Sequence, residues 1–216
     1  MTRTIGMFPL STVLFPRAWL PLHVFEPRYR ALMSACHEGD GEFGVVLISR
    51  GSEVGGGDQR VDVGAVARIA RSSALDHGRM VVVAEGRTRF RILRWLDDDP
   101  YPRAEIEDLE LTPVGEAAAA LSAAEASVRR LRSLLSELGD VPALPHDLLV
   151  EGTDEEVAWQ LCELAPVNLM DRQQLLASDD LVSLLAHLAD LCDASTADVI
   201  AMLSGGQGDL SGGAGD

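Results

Sequence analysis

The spacing of apolar residues changes period once along this chain, near residue 112, and that change limits the fold more than any other feature. Before it, short apolar runs are cut by Gly, Pro and Asp, the pattern of strands joined by turns. After it, Leu, Ala and Val recur every three to four residues, the spacing of one helix face. The expectation is an α+β protein, with a β lobe over 1–112, a helical lobe over 113–204 and a disordered tail over 205–216. Six of the twelve tail residues are Gly, too few apolar groups to offset the entropy of ordering.

Within the first lobe the runs predict strands over 5–10, 19–25, 43–49, 61–70, 80–85, 87–95 and 103–109. Turn chemistry separates them at the Gly-rich stretch 51–57, at Asp76-His77-Gly78 and at Asp97-Asp98-Asp99-Pro100. One helix interrupts the strands. Pro27 suits a first helical position, and Tyr29, Leu32, Met33 and Cys36 then fall on one face. In the second lobe, 115–138 places Leu121, Ala124, Val128, Leu131, Leu135 and Leu138 on one stripe. Thr153-Asp154-Glu155-Glu156 has the capping-box form and predicts a helix to Leu164, closed by Pro166. Further helices are expected over 170–177 and 179–193, the latter with Leu181, Leu184, Leu185, Leu188 and Leu191 inward, and 196–203 either extends it or forms its own turn.

Composition removes several chemistries. All 18 basic residues are Arg. Without Lys there is no Schiff base, no Ser–Lys dyad and no phosphate loop of the Walker type. Cys36, Cys162 and Cys192 are odd in number and far apart, which fits a reducing compartment better than a disulfide framework. Pro9 and Pro16 break the first apolar run, so no secretory signal is read there. No stretch reaches the roughly 18 apolar residues of a membrane span, and the expected location is the cytoplasm. Residues 1–111 carry 14 Arg and 16 acids, whereas 112–216 carry 4 Arg and 18 acids. A helical lobe this acidic repels phosphate backbones and argues against nucleic acid as a partner.

Metal and catalytic patterns are sparse. No C-x-x-C or H-x-x-x-H occurs, and no metal or other cofactor is implied. His23 and His77 are candidate bases and Ser49 and Ser52 flank the Gly-rich stretch, but no nucleophile elbow joins them, and a hydrolase would need a Ser–His or Cys–His pair assembled by the fold. The acidic runs 97–99 and 154–156 are a turn and a helix start. Arg87, Arg89 and Arg91 alternate with Thr88, Phe90 and Ile92, so a regular strand puts all three on one face. They form either an anion or RNA platform, or a ladder with Glu105 and Glu107 on the strand over 103–109. Phe8, Phe15, Trp19 and Phe25 are core residues by default. Trp19 and Leu20, however, lie between Pro16 and Pro21, where an exposed apolar patch would bind protein.

The run from Met7-Phe8-Pro9-Leu10 to Val13-Leu14-Phe15-Pro16, followed by Leu20-Pro21-Leu22-His23-Val24-Phe25-Glu26-Pro27-Arg28-Tyr29, resembles the N-terminal substrate-binding domain of Lon proteases. It is most similar to stand-alone forms of that domain. Gly86-Arg87-Thr88-Arg89-Phe90-Arg91-Ile92 is similar to the family's G-x-x-R-F-x-I strand. Leu161-Cys162-Glu163-Leu164-Ala165-Pro166 and Asp171-Arg172-Gln173-Gln174-Leu175-Leu176 resemble its helical part. The resemblance spans residues 5 to about 203. It implies a PUA-like β pseudo-barrel with one inserted helix, followed by a helical bundle. It also implies a non-enzymatic module that binds unfolded or tagged polypeptides or a protease partner, an adaptor or regulator in protein quality control. The Lon ATPase and peptidase modules find no match in these residues, so no catalytic residue carries over. The candidate peptide contacts are Trp19, Leu20 and Leu22 on the β lobe and Trp159 on the helical lobe, with bundle core as the other reading of Trp159. The alternative is an RNA-binding PUA-like protein using Arg87, Arg89 and Arg91. The sequence assigns no oligomeric state.

Overall fold

The protein is described by a computed structural model that covers residues 2–50, 59–112, 115–145 and 150–205. The Gly-rich stretch 51–57 and the tail beyond Gly205 lie outside the described residues. In chain order the elements are β1 (Thr2–Leu10), β2 (Trp19–Val24), α1 (Pro27–Glu38), β3 (Glu42–Arg50), β4 (Gln59–Ala74), β5 (Met80–Leu96), β6 (Arg103–Leu109), α2 (Ala118–Glu137), α3 (Asp154–Leu164), α4 (Leu169–Leu176) and α5 (Leu181–Gly205), with a 3-10 turn at Asp76–Gly78. The fold is thus α+β, with one mixed six-stranded sheet and five α-helices among the described residues.

The strand order is β2-β5-β4-β3-β1-β6, and β6 pairs back onto β5. Only β1 and β3 run parallel. The 17 residues of β5 make this closure possible. Its first half, Met80 to Glu85, pairs with β2, and its second half, Arg89 to Leu96, pairs with β6. The ring so formed is filled by Ile5, Met7, Val46, Val66, Phe90, Ile92, Ala104 and Ile106. Phe90 occupies the middle of it. Gly64 permits this, since a side chain there would strike the Phe90 ring and the Val45 carbonyl. The other face of β1 and β3 packs on α1, where Phe8 stacks on Tyr29 at 4.0 Å between ring centroids. Tyr29, Leu32, Met33 and Cys36 are the buried face of α1, as the spacing predicts.

A second apolar cluster is larger and continuous from Phe8 in the β lobe to Cys192 in α5. The helices contribute Ala124, Val128, Leu131, Leu161, Cys162, Leu184, Leu185 and Leu188 to it. The capping box is present at α3: Thr153 accepts from the Glu156 N–H while the Glu156 carboxylate accepts from the Thr153 N–H.

Two expectations change and one alternative is decided. The strands foreseen over 80–85 and 87–95 are one strand, because Gly86 stays in the sheet while bonding the segment that leads into β2. Of the two readings of 196–203 the structure has the continuation: α5 runs on through it, and the Thr196 hydroxyl donates back to the Cys192 carbonyl at 2.8 Å instead of breaking the turn. The first long helix starts at Ala118 rather than at 115, and Leu138 lies past its end, exposed.

Candidate functional site

The connection from β1 to β2 passes between the lobes and shapes the seam. The Ala18 N–H donates to the Phe15 carbonyl at 3.2 Å, closing a turn with Pro16 and Arg17 in the middle. Arg17 has φ +66°. A turn of this kind needs positive φ at its second central residue, the place Gly usually takes, and an L side chain there costs roughly 1–2 kcal/mol. The Arg17 N–H donates to the Gly86 carbonyl at 2.7 Å, and the Gly86 N–H donates to the Ala18 carbonyl at 2.9 Å. The Phe15 carbonyl lies against the Gly86 Cα, where any side chain would collide with it. The Arg17 guanidinium then reaches across to Glu156 on α3 at 2.6 Å. The Thr153 N–H, with Arg17 adding to it, holds the Glu156 carboxyl below its ordinary value.

Phe15 is fully buried and stacks on Trp159 at 5.8 Å, with the Arg172 guanidinium 4.6 Å from its ring centroid. Arg172 also bonds Glu163 at 2.6 Å. Polar contacts complete the join. The Gln173 side chain donates to the Val63 carbonyl at 3.0 Å, and the Thr112 main chain pairs with the chain just before α5. Arg89, 2% exposed, donates to the Leu176 and Ser178 carbonyls at 2.8 and 2.6 Å and lies 5.2 Å from the Trp159 ring centroid. Those carbonyls end α4, where the helix dipole favours a cation. Burial lowers the affinity of Arg89 for its proton, and Glu155 and Asp179 pull it back up.

Along the outside of this seam runs a trough of three adjoining hollows. The apolar one, about 320 Å³, is walled by Trp19, Ala18, Val150, Trp159 and Leu164. A smaller one over Arg17, Arg87 and Glu155 connects it to a wider, more polar cleft of about 790 Å³ between Arg87, Thr88, Asp108 and the start of α3. The structure therefore brings Trp19 and Trp159 to the same hollow, but in different states: Trp19 is 62% exposed and Trp159 is 1% exposed. The strict alternation of β2 sends Leu20 and Leu22 inward instead. They line a separate hollow of about 340 Å³ with Phe8, Leu10 and Tyr29. Of the four N-terminal aromatics read as core by default, Phe8 and Phe15 are buried, while Trp19 and Phe25 are exposed.

The three arginines do not form a common surface. The pairing of β4 with β5 slips between Ala65 and Ala67, setting Arg87 out of step with Arg89. Arg89 is locked in the seam. Arg87 is exposed and bonded to Glu85 at 3.3 Å. Arg91 is exposed opposite Glu107, while Glu105 is held by Arg94 at 2.7 Å.

Among the described residues one Ser–His pair lies within bonding distance, and no motif in the sequence marks it. The Met33 carbonyl, which can only accept, is 2.6 Å from His37 Nδ1, so Nδ1 carries the hydrogen and Nε2 accepts from the Ser72 hydroxyl at 2.8 Å. Neither residue lines any of the hollows above, and both are exposed. The pair ties α1 to β4. Cys36, Cys162 and Cys192 are buried, and burial pushes their thiols up, Cys36 to about 12 and Cys192 to about 11. Among the described residues no group of three metal-binding side chains converges, and no helix is long and apolar enough to cross a membrane.

Solved structures resemble this fold. A Lon N-terminal domain protein from Xanthomonas campestris matches with a TM-score of 0.62 and 27% identity over 86% of this chain and 96% of that one. The N-terminal domain of Mycobacterium avium complex Lon protease, at 14% identity and a TM-score of 0.59, shares the fold. The class is thus that of Lon N-terminal domains. The family model for the ATP-dependent protease La (LON) substrate-binding domain matches residues 4–193, and the chain belongs to that family. Lon protease 2 of Herpetosiphon aurantiacus is 31% identical over 81% of the chain, and Lon protease of Cytophaga hutchinsonii is 27% identical over 85%. The chain spans only 22% and 23% of the length of those two relatives.

Proposed function

We propose that this chain is a non-enzymatic polypeptide-binding module that captures unfolded or tagged segments in the trough between its lobes and serves protein quality control as an adaptor or regulator of a cytoplasmic protease. The observation that carries the reading is Trp19, a large aromatic left 62% exposed at the mouth of an apolar hollow. Exposed aromatics beside a concave apolar wall are the anchors that protein partners bury. Membership of a substrate-binding family supports the same reading. Trp19 would make the main contact, and Trp159 would form the floor that Phe15 and Arg89 hold in place. Leu20 and Leu22 would support the strand that presents Trp19. The closed ring of strands is read as the PUA-like pseudo-barrel the resemblance implies, with the two lobes as the domains over 1–112 and 113–204.

Fluorescence polarisation on a labelled unfolded protein and a labelled structured RNA, at low and physiological salt, tests it. The account expects salt-resistant binding of the unfolded protein, weakened at least about tenfold by Trp19→Ala, the size of one aromatic anchor. Binding of the RNA alone, lost steeply with salt, overturns it.

A further inference from the structure

We propose that the solvent face of the β2–β5–β4 sheet extends the trough and selects extended polypeptide segments that place a carboxylate about three residues from an apolar side chain. This rests on the polypeptide-binding reading and adds a specificity to it.

The register of the strands fixes what this face carries. Trp19, Pro21 and His23 are the outward positions of β2. Across from them on β5 stand Glu85, Val83 and Val81. One strand further, β4 sets Arg68 opposite Glu85 and Arg71 opposite Val83. Residues paired across a sheet point the same way. The face is therefore an apolar strip of Trp19, Pro21, Val83 and Val81, ended by His23 on one side and by Glu85 on the other, with a cationic border on β4. Among the described residues no element covers the strip: Pro21 is exposed and the two valines are partly so.

The border is charged in fact as well as in sequence. Arg68 and Arg71 are exposed, and neither meets a carboxylate among the described residues. The two acids that flank Arg68 across the sheet are already held elsewhere, Glu42 by Arg3 at 2.9 Å and Glu85 by Arg87 at 3.3 Å. In a chain of net charge −16, two exposed cations that meet no carboxylate among the described residues, beside an apolar strip, call for an anionic group on whatever lies there. The free edge of β2 suits a ligand strand less well, because Pro21 at its middle has no N–H to offer.

Geometry sets the spacing. Trp19 and Arg68 are two strands apart, about 10 Å at the usual strand separation, and a segment in the extended polyproline II conformation advances about 3.1 Å per residue and returns to the same face every three residues. A segment crossing the sheet with its apolar side chain against Trp19 brings the carboxylate three residues away to Arg68 or Arg71.

The test uses two labelled peptides, each with one Leu and differing only in Glu or Gln three residues from it, titrated by anisotropy at low salt. The Glu peptide should bind the protein about two- to tenfold tighter, the range for two exposed ion pairs. Arg68→Glu with Arg71→Glu should remove or invert that preference while leaving the Gln peptide unchanged. Equal affinities of both peptides for the unmodified protein would overturn the carboxylate preference and leave the polypeptide-binding reading standing. Failure of both peptides to bind would overturn the two together. If sedimentation shows a dimer that the charge reversal dissociates, the strip is covered by a second copy and the proposal fails.

Discussion

The inside of the strand ring and the seam between the lobes are both closed to water, but they are held by different forces. The ring interior is apolar throughout, seven buried side chains around Phe90. The seam buries Arg89 and Gln173 among its apolar groups and directs their bonds at main-chain carbonyls of the other lobe. Apolar burial is non-directional and scales with area, so the ring tolerates any packing that fills it. Bonds from a guanidinium to two carbonyls fix an angle. That difference explains why the trough lies at the seam: the relative placement of Trp19 and α3 is set by a few named polar contacts rather than by bulk.

Substitutions in the two regions should separate these forces. Phe90→Ala empties the ring and should cost about 3–5 kcal/mol of unfolding free energy by denaturant titration, with no loss of client affinity while the protein remains folded. Arg89→Met keeps much of the volume but strands two carbonyls at the end of α4. It should cost less, about 2 kcal/mol, since each orphaned acceptor counts and the methionine relieves a charge that was itself buried. It should nevertheless weaken client binding, because the floor under Trp159 loosens. If Phe90→Ala weakened binding and Arg89→Met left it unchanged, the division between the two regions would collapse.

A smaller effect follows from the Arg17–Glu156 bridge. The folded protein holds the Glu156 carboxyl below its ordinary 4.5, through the Thr153 N–H first and Arg17 after it. The unfolded chain then takes up the proton before the folded one does. The stabilisation is complete above the unfolded value and is lost as pH falls through the folded one. Melting temperature measured between about pH 6 and pH 3 should fall less steeply in Glu156→Gln than in the parent protein. Equal slopes would remove Glu156 from the account of the seam.

Much of this fold was legible where local chemistry decides it. Pro27 starts α1, the face of Tyr29, Leu32, Met33 and Cys36 is buried, and the Thr153–Glu156 box starts α3. The misreadings come from contacts made across the chain. Gly86 reads as a strand end because a Gly in a strand is usually a weakness. Here its missing side chain admits the Phe15 carbonyl, more than seventy positions away. Arg89 reads as a surface cation in an alternating strand, and only the bulge in β4–β5 and the end of α4 show that it is internal. Leu20 and Leu22 were legible as strand residues, yet which face of β2 meets the core depends on pairing with β5. The positive φ of Arg17 and the His37–Ser72 contact left no mark in the sequence at all.

Tryptophan emission tests the central claim most directly. Of the three tryptophans, Trp159 is buried, Trp95 lies against Arg60 and lines none of the trough's hollows, and Trp19 is largely exposed, so a ligand seated on the trough changes the surroundings of Trp19 far more than those of the other two. The account predicts that an unfolded polypeptide lacking tryptophan shifts the emission to the blue, saturating with the binding curve, and that Trp19→Phe abolishes the shift. Tight binding of that polypeptide with no change in the emission of the unmodified protein would contradict it, and would place the client somewhere other than the trough.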